Sequence, residues 1–487
     1  MPEPLLFDVS RPGREGVALP APDVPETAIP AGLVRASLDL PEIAEPEVMR
    51  HYLRLSHMNY CVDTGLYPLG SCTMKYNPKV NETAARIAGF AHLHPLQDPV
   101  TAQGAIGLMF ALQAMIAEIG GFHAVTLQPS AGAHGELTGV LIMRAWHVSR
   151  NDDARNRVLV PDSAHGTNPA TSSMAGFEAV EIPSDARGNI DLAKLRAQLD
   201  NRVVGLMLTN PNTLGLFEEN LLEVTRLVHE AGGLVYGDGA NFNALLGVAK
   251  PGHMGIDVMH FNLHKTFSTP HGGGGPGAGA VGVVESLADF LPGPLAARTG
   301  SGSSERFTWS HPRKSIGRVK SFQGNFGILV RAYAYMRMLG AAGMRAVAEN
   351  AVLNANYLQA RLADIYPVPH ADRTCMHEFV AQGKLAGAPG VRALDISKRL
   401  IDYGFHPPTN YFPLIVSEAL MIEPTETESK ETLDSFVEAL RSIAQEAVAN
   451  PALLHDAPHA SPVRRLDEVK AAKELAVTAP YRPPREG

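Results

Sequence analysis

Cysteine and tryptophan are scarce in this chain of 487 residues, at three and two copies. Cys61, Cys72 and Cys375 form no CxxC pair and no framework that could carry a disulfide-stapled fold, which points to a reducing, cytoplasmic setting. Positive charge is not in excess either. Lys and Arg number 42 against 50 Asp and Glu, a formal net charge of -8, so nucleic acid is excluded as the main partner. The N-terminus has no cationic patch followed by an apolar run, and Glu285 and Asp289 interrupt the most apolar glycine-rich region, so no membrane partner is expected. Internal repeats and low-complexity blocks are also missing. What is present is an ordinary globular composition, 45% hydrophobic and 19% charged, in a chain longer than a single usual core. Two domains plus extensions follow from that length.

The periodicity then sorts the chain. Pro2, Pro4, Pro12, Pro20, Pro22, Pro25, Pro30 and Pro41 predict an arm running over a surface, and we bound an extended N-terminal arm at residues 1–65. A helix is expected from about Ala105, with Leu108, Leu112, Met115, Ile116 and Ile119 on one face and a stop at Gly120-Gly121. Strand-like runs at 157–161, 179–182, 203–210 and 234–236 alternate with helical stretches, and polar residues cluster where the strands end. This is the pattern of an α/β domain with a mostly parallel sheet, whose ligands sit outside the carboxyl ends of the strands. We bound it at 66–325. A smaller α+β domain over 326–455 follows, with strands expected at 376–380, 411–416 and 420–423, and then a C-terminal tail over 456–487.

Four segments carry chemistry. Ser130 to Gly135 is a small-residue turn opening a helix, with Leu137, Leu141, Ala145 and Val148 as its expected buried face. Backbone N–H groups at such a start can hold an anion. His165 follows one strand and Asp238 another. Lys265 follows a third, just before a glycine-rich loop where an amine could hold a planar aldehyde. Taken singly, each has a plain structural reading: a tight helix start, a core histidine, a loop cap and a surface lysine. Together they are the set a pyridoxal phosphate enzyme needs: an amine, a carboxylate for the pyridine nitrogen, a ring to stack on the pyridine face, and a helix N-terminus for the phosphate.

Motifs across nearly the whole chain carry a more specific resemblance: YPLGSCTMKYNP from Tyr67, QPSAGAHGE from Gln128, DSAHGTNPAT from Asp162, LTNPNTLGLFE from Leu208, YGDGAN from Tyr236, NLHKTFSTPHGGGGPG from Asn262 and EPTETESKETLD from Glu423. The chain resembles the second subunit of two-subunit glycine decarboxylases, the P-protein family of the glycine cleavage system. That resemblance implies a fold-type I, pyridoxal phosphate-dependent transferase-like architecture. It also implies decarboxylation of glycine with transfer of the aminomethyl group to the lipoyl arm of the H-protein, classed as an oxidoreductase reaction. The implied roles are Schiff-base lysine for Lys265, ring-stacking residue for His165 and pyridine-nitrogen partner for Asp238. Ser130, Ala131, Gly132 and Thr213 are implied phosphate or ring contacts, and Ser71, Thr73 and Lys75 implied substrate-loop groups. The implied partners are glycine, lipoylated H-protein and a homologous subunit 1 in an α2β2 heterotetramer, with the cofactor site at a subunit interface.

Other readings of the residues are weaker. Gly272, Gly274 and Gly277 satisfy GxGxxG, but the match lies beyond the strand, contains Pro276 and precedes another strand, so a nicotinamide oxidoreductase is disfavoured. A non-catalytic partner-binding scaffold would have no use for Lys265, Asp238 and His165 together. An aminotransferase would typically anchor substrate with a small-domain arginine, and none is identifiable. His92 and His94 have no further ligand at suitable spacing, so no metal is expected. Cys72 reads as a packing residue, and Glu428 as the closing residue of a capping box begun at Thr425.

Overall fold

The computed structural model describes residues 3–35, 38, 40–271 and 277–475. Gly272 and Gly274 of the GxGxxG match and most of the glycine loop therefore lie outside the described residues. So does the tail beyond 475.

Seven strands form the main sheet: β1 (Ala124–Thr126), β2 (Arg157–Pro161), β3 (Glu178–Ile182), β4 (Val203–Thr209), β5 (Leu234–Gly239), β6 (Val258–Asn262) and β7 (Gly279–Val283). Their order is β1-β7-β6-β5-β4-β2-β3. The pairings from β3 through β6 are parallel, and β7 runs antiparallel to both β6 and β1. Every residue of β4, β5 and β6 is buried, because helices cover both faces. Such strands read as continuous apolar runs instead of alternating.

The helix Gln103–Gly120 ends at Gly121, whose φ of 74° is the left-handed conformation that terminates helices. By length and hydropathy this helix could cross a membrane. Here its Ile106, Met109, Leu112 and Ile116 are buried in the core of the sheet domain. The helix Gly132–Val148 corrects our expected buried face: Leu137, Leu141 and Ala145 are only partly buried and Val148 is exposed, whereas Gly135, Gly139, Val140, Ile142 and Met143 are buried. The reason is close approach. A Cβ at Gly139 would lie 2.4 Å from the Tyr236 ring, so the helix meets the sheet along its glycines, a signal that counting apolar residues overlooks.

The hairpin β8 (Leu295–Thr299) and β9 (Arg306–Ser310) stands apart from the main sheet. The helix Phe326–Leu362 then leads toward a second core, broken at Gly340, whose φ of 62° interrupts the helical conformation. A three-stranded antiparallel sheet of order β10-β12-β11 follows, from β10 (Phe379–Gln382), β11 (Thr409–Asn410) and β12 (Ala419–Ile422). The helices Ala393–Asp402 and Lys430–Ala449 pack on it through Ile396, Leu400, Phe436, Val437 and Leu440. The strand expected over 411–416 is absent: Tyr411 takes a φ of 58° and Pro413 cannot donate to a ladder. Glu428 closes no capping box, since the helix starts at Lys430 and Ser429 Oγ accepts from Thr432 N.

The N-terminal arm is not extended throughout. Residues Glu45–His57 form a helix with Pro46 in its first turn and Glu45 and Glu47 at its positive end. The segment Leu66–Lys75 crosses between the two sheets, and Leu69 makes a bridge to Ile422 of β12.

Candidate active site

The parallel strands deliver their ends to one edge, and a cleft of about 570 Å³ opens there. Lys265 lies three residues past β6, Asp238 near the end of β5, His165 four past β2, and Gly132 and Ala133 at the start of the helix after β1. All five line this cleft, together with Ser71 and Cys72 from the crossing segment. The sequence spacing therefore brings the amine, the carboxylate, the imidazole and the helix start to one place.

Lys265 is buried, at 7% exposure. Its Nζ donates to the carbonyl oxygen of Ser71 at 2.7 Å. Asp238 accepts from Asn168 Nδ2 at 3.0 Å and from Ala240 N at 2.9 Å. Burial works against its charge, but the imidazoles of His260 and His165 and these two donors outweigh burial and hold the carboxyl below its usual range. His260 lies 3.5 Å from Asp238 and is pulled down to about 4, chiefly by burial. Its Nδ1 pairs with the Tyr236 hydroxyl. His165 is likewise lowered by burial. Its Nδ1 lies 3.1 Å from Thr167 Oγ1, and its ring meets Phe412 edge-on.

Glu136 is the residue our sequence reading passed over. It lies inside the quoted motif QPSAGAHGE, one turn into the helix that begins at Gly132, and it lines the cleft. Thr167 Oγ1 donates to its Oε2 at 2.7 Å, and Oε1 has no hydrogen-bond partner among the described residues. Burial and then the negative charge of Asp238 push Glu136 up to about 7. Two buried carboxyl groups are thus pushed apart, Asp238 toward the ionised form and Glu136 toward holding its proton up to about neutral pH, the usual mark of divided acid and base duties.

The remaining sequence candidates sit outside the lining. Thr213 Oγ1 donates to Ser163 O at 2.9 Å. Ser130 Oγ accepts from Lys320 Nζ at 2.9 Å, which puts a cation beside the helix start. Ala131 immediately precedes that helix. Thr73 N donates to Glu423. Lys75 is fully occupied elsewhere: its Nζ lies 3.0 Å from Glu426, donates to Asn243 Oδ1 at 3.1 Å and stands over the Tyr335 ring. Burial pushes the Cys72 thiol up, which suits a packing role better than nucleophilic chemistry.

Behind the crossing segment, His377, Glu378 and Glu423 each bring one potential ligand atom within 4.8 Å of the others. Both oxygens of Glu378 and one of Glu423 already receive N–H donors, whereas both ring nitrogens of His377 and Glu423 Oε1 have no partner among the described residues, His377 Nε2 lying 3.8 Å from that oxygen.

Comparison with known proteins gives this geometry its family. Residues 24–307 match the family described as "Glycine cleavage system P-protein", and 347–459 match "Glycine dehydrogenase, C-terminal domain". A protein of Caldanaerobacter subterraneus subsp. tengcongensis named "Probable glycine dehydrogenase (decarboxylating) subunit 2" is 57% identical, covering 97% of this chain and 98% of its own length. One of the same name from Chlorobium chlorochromatii is 56% identical, covering 98% and 99%. Among solved structures, an inhibitor-bound glycine decarboxylase P-protein superposes with a TM-score of 0.72 at 24% identity, covering 85% of this chain and 93% of its own. A sphingosine-1-phosphate lyase from Burkholderia pseudomallei gives 0.62 at 16%, covering 89% and 94%. The architecture is that of fold-type I pyridoxal phosphate enzymes, and the chain belongs to the glycine dehydrogenase (decarboxylating) subunit 2 family, the P-proteins of the glycine cleavage system.

Proposed function

We propose that this chain is the cofactor-bearing subunit of a two-subunit glycine dehydrogenase (decarboxylating) that uses pyridoxal 5'-phosphate. The observation that carries this reading is the convergence of Lys265, Asp238 and His165 on one cleft in a chain that matches its relatives end to end. The cleft also fits the cofactor by its chemistry. Among the described residues, buried polar atoms in the segment around Lys265 lack partners, namely Asn262 Oδ1, Thr266 Oγ1 and Thr269 Oγ1. A Cβ at Gly132 would lie 2.1 Å from Asn262 Oδ1, so only a bare backbone allows this close packing at the helix start.

When bound, pyridoxal phosphate supplies an aldehyde for an amine and a ring that takes up the electron pair released as carbon dioxide leaves. The residues do the rest. Lys265 offers the amine, and Asp238 keeps a negative charge where a protonated ring nitrogen is to be held. His165, with Phe412 edge-on beside it, would offer an imidazole face to the ring. The N–H groups of Gly132 and Ala133 at the helix start would hold the phosphate, with Lys320 adding positive charge nearby. Glu136, raised to about 7, is poised to hold or release a proton into the cleft near neutral pH.

The aminomethyl acceptor in this reading is the lipoyl arm of the H-protein, and the second wall of the cleft comes from subunit 1 in an α2β2 tetramer. The test is to load the purified chain with cofactor and assay exchange of glycine carboxylate with bicarbonate, with lipoylated H-protein, before and after subunit 1 is added. Exchange should appear only with subunit 1, and full exchange by the chain alone would refute the half-enzyme reading. Borohydride reduction should fix the cofactor on Lys265.

A further inference from the structure

Ser71 and Thr73 adopt φ values of 63° and 44°. For residues with a Cβ this conformation costs about 1 kcal/mol or more each, and it persists only where the surroundings over-determine it. Here the surroundings are two carboxyl groups of the small domain. Ser71 N donates to Glu378 Oε2 at 2.6 Å, and Thr73 N donates to Glu423 Oε2 at 2.9 Å. Both glutamates are fully buried. The second oxygen of Glu378 accepts from Asn241 Nδ2 at 3.0 Å, which ties the same carboxyl to the end of β5. The preceding residue is held as firmly. Gly70 O accepts from Thr409 Oγ1 at 2.9 Å, and a Cβ at Gly70 would lie 2.2 Å from Met421. With both neighbouring amides fixed, the Ser71 carbonyl has one direction left, and it accepts from Lys265 Nζ.

We propose that Glu378 and Glu423 are positioning residues that set the Ser71 carbonyl as the resting acceptor for the Lys265 ammonium. The inference rests on the reading of Lys265 as the cofactor lysine and extends it to the moment when substrate displaces that lysine. In amine exchange the incoming ammonium gives up a proton and the departing Lys265 nitrogen takes one up, so no electrons move and the charge count is unchanged. A fixed carbonyl then receives the new N–H and keeps the lysine clear of the reacting carbon. The same carbonyl returns it to the cleft when product leaves. In this way the small domain acts on the reaction without touching substrate.

The two glutamates differ in a way that makes the idea testable. Glu378 uses both oxygens as acceptors, so Glu378→Gln must lose one of its bonds. Glu423 accepts from Thr73 N through a single oxygen, so Glu423→Gln retains that bond and Glu423→Ala does not. In the full-length chain without cofactor, we would measure acetic anhydride labelling of Lys265 by mass spectrometry and hydrogen exchange of the 69–75 amides. Glu378→Gln and Glu423→Ala should each speed Lys265 labelling about tenfold, the effect of losing one hydrogen bond, with faster exchange in 69–75. Glu423→Gln should match wild type, and the labelling of other lysines should not change. If either glutamate variant fails to fold, Asn241→Ala loosens Glu378 from the opposite side and should give the smaller shift in the same direction. Faster exchange with unchanged Lys265 labelling would overturn the proposal, since the loop would then be held for its own sake. Should borohydride instead fix the cofactor on another lysine, the functional reading fails while these labelling results stand on their own.

Discussion

Two buried acid pairs flank Lys265, and they are put to different use. Asp238 and Glu136 belong to the sheet domain and face the cleft with side-chain partners: His260, His165, Asn168 and Thr167. Glu378 and Glu423 belong to the small domain and spend their oxygens mainly on backbone amides. Burial raises Glu378 and Glu423 alike, whereas in the first pair the nearby imidazoles hold Asp238 low as Glu136 rises. Burial alone therefore does not assign a role. Imidazole neighbours create a lasting charge suited to stabilising a cation, and amide neighbours create a scaffold.

The sharpest break in this comparison is removal of the group between the pairs. Lys265→Ala should abolish covalent retention of cofactor after borohydride and lower glycine turnover at least about 10³-fold; pyridoxyl still attached to the chain would mean the wrong lysine. Asp238→Asn keeps the shape and removes the lasting charge, so exchange of glycine carboxylate should fall about 10²- to 10³-fold while cofactor still binds. Unchanged turnover would dissolve the distinction between the pairs.

Glu136→Gln should cost less, about tenfold in turnover, and should also alter stability in a pH-dependent way. A carboxyl raised to about 7 in the folded chain keeps a proton that the unfolded chain loses near 4.5. Wild type therefore loses the contribution of this group as pH rises from about 4.5 through 7. The glutamine variant, relative to wild type, should melt higher at pH 8 than at pH 5. A difference that does not change with pH would place the Glu136 proton elsewhere. Gly139→Ala tests the helix that carries Glu136. The added methyl meets Tyr236 and should cost about 1–3 kcal/mol in chemical denaturation. The smallest effect is expected at the surface, where Arg226→Ala breaks exposed pairs with Glu223 and Glu230 and should change stability by less than about 1 kcal/mol.

Much of the sheet edge was legible in advance because each strand is a short apolar run with a polar residue at its end. Lys265, Asp238 and His165 could be placed on that ground before any coordinates. Glu136 was written in a motif but hidden by its position on a helix, where an acidic residue ordinarily faces water. The pairing of Glu378 and Glu423 with the 71–73 amides left no trace in periodicity, since the partners lie 307 and 350 residues apart. The run Tyr411 to Val416 looked like a strand by composition, yet the left-handed Tyr411 and the adjoining proline break the ladder. Lys75 sits beside the cleft loop in sequence, and only packing reveals that its charge is directed to Glu426.

The long reach from residue 71 to residue 423 also sets an order of events during synthesis. When the last strand of the main sheet has left the ribosome at Val283, Lys265 and Ser71 are both available, but Glu423 is 140 positions away (423 minus 283). At ordinary translation speeds that gap lasts roughly 7–28 s. Through that interval the nascent chain owns a nearly finished sheet whose lysine has no fixed acceptor. The final stretch of translation thus closes the cleft, and a chain released before residue 378 would carry Lys265 without the carboxyl groups that fix the Ser71 carbonyl.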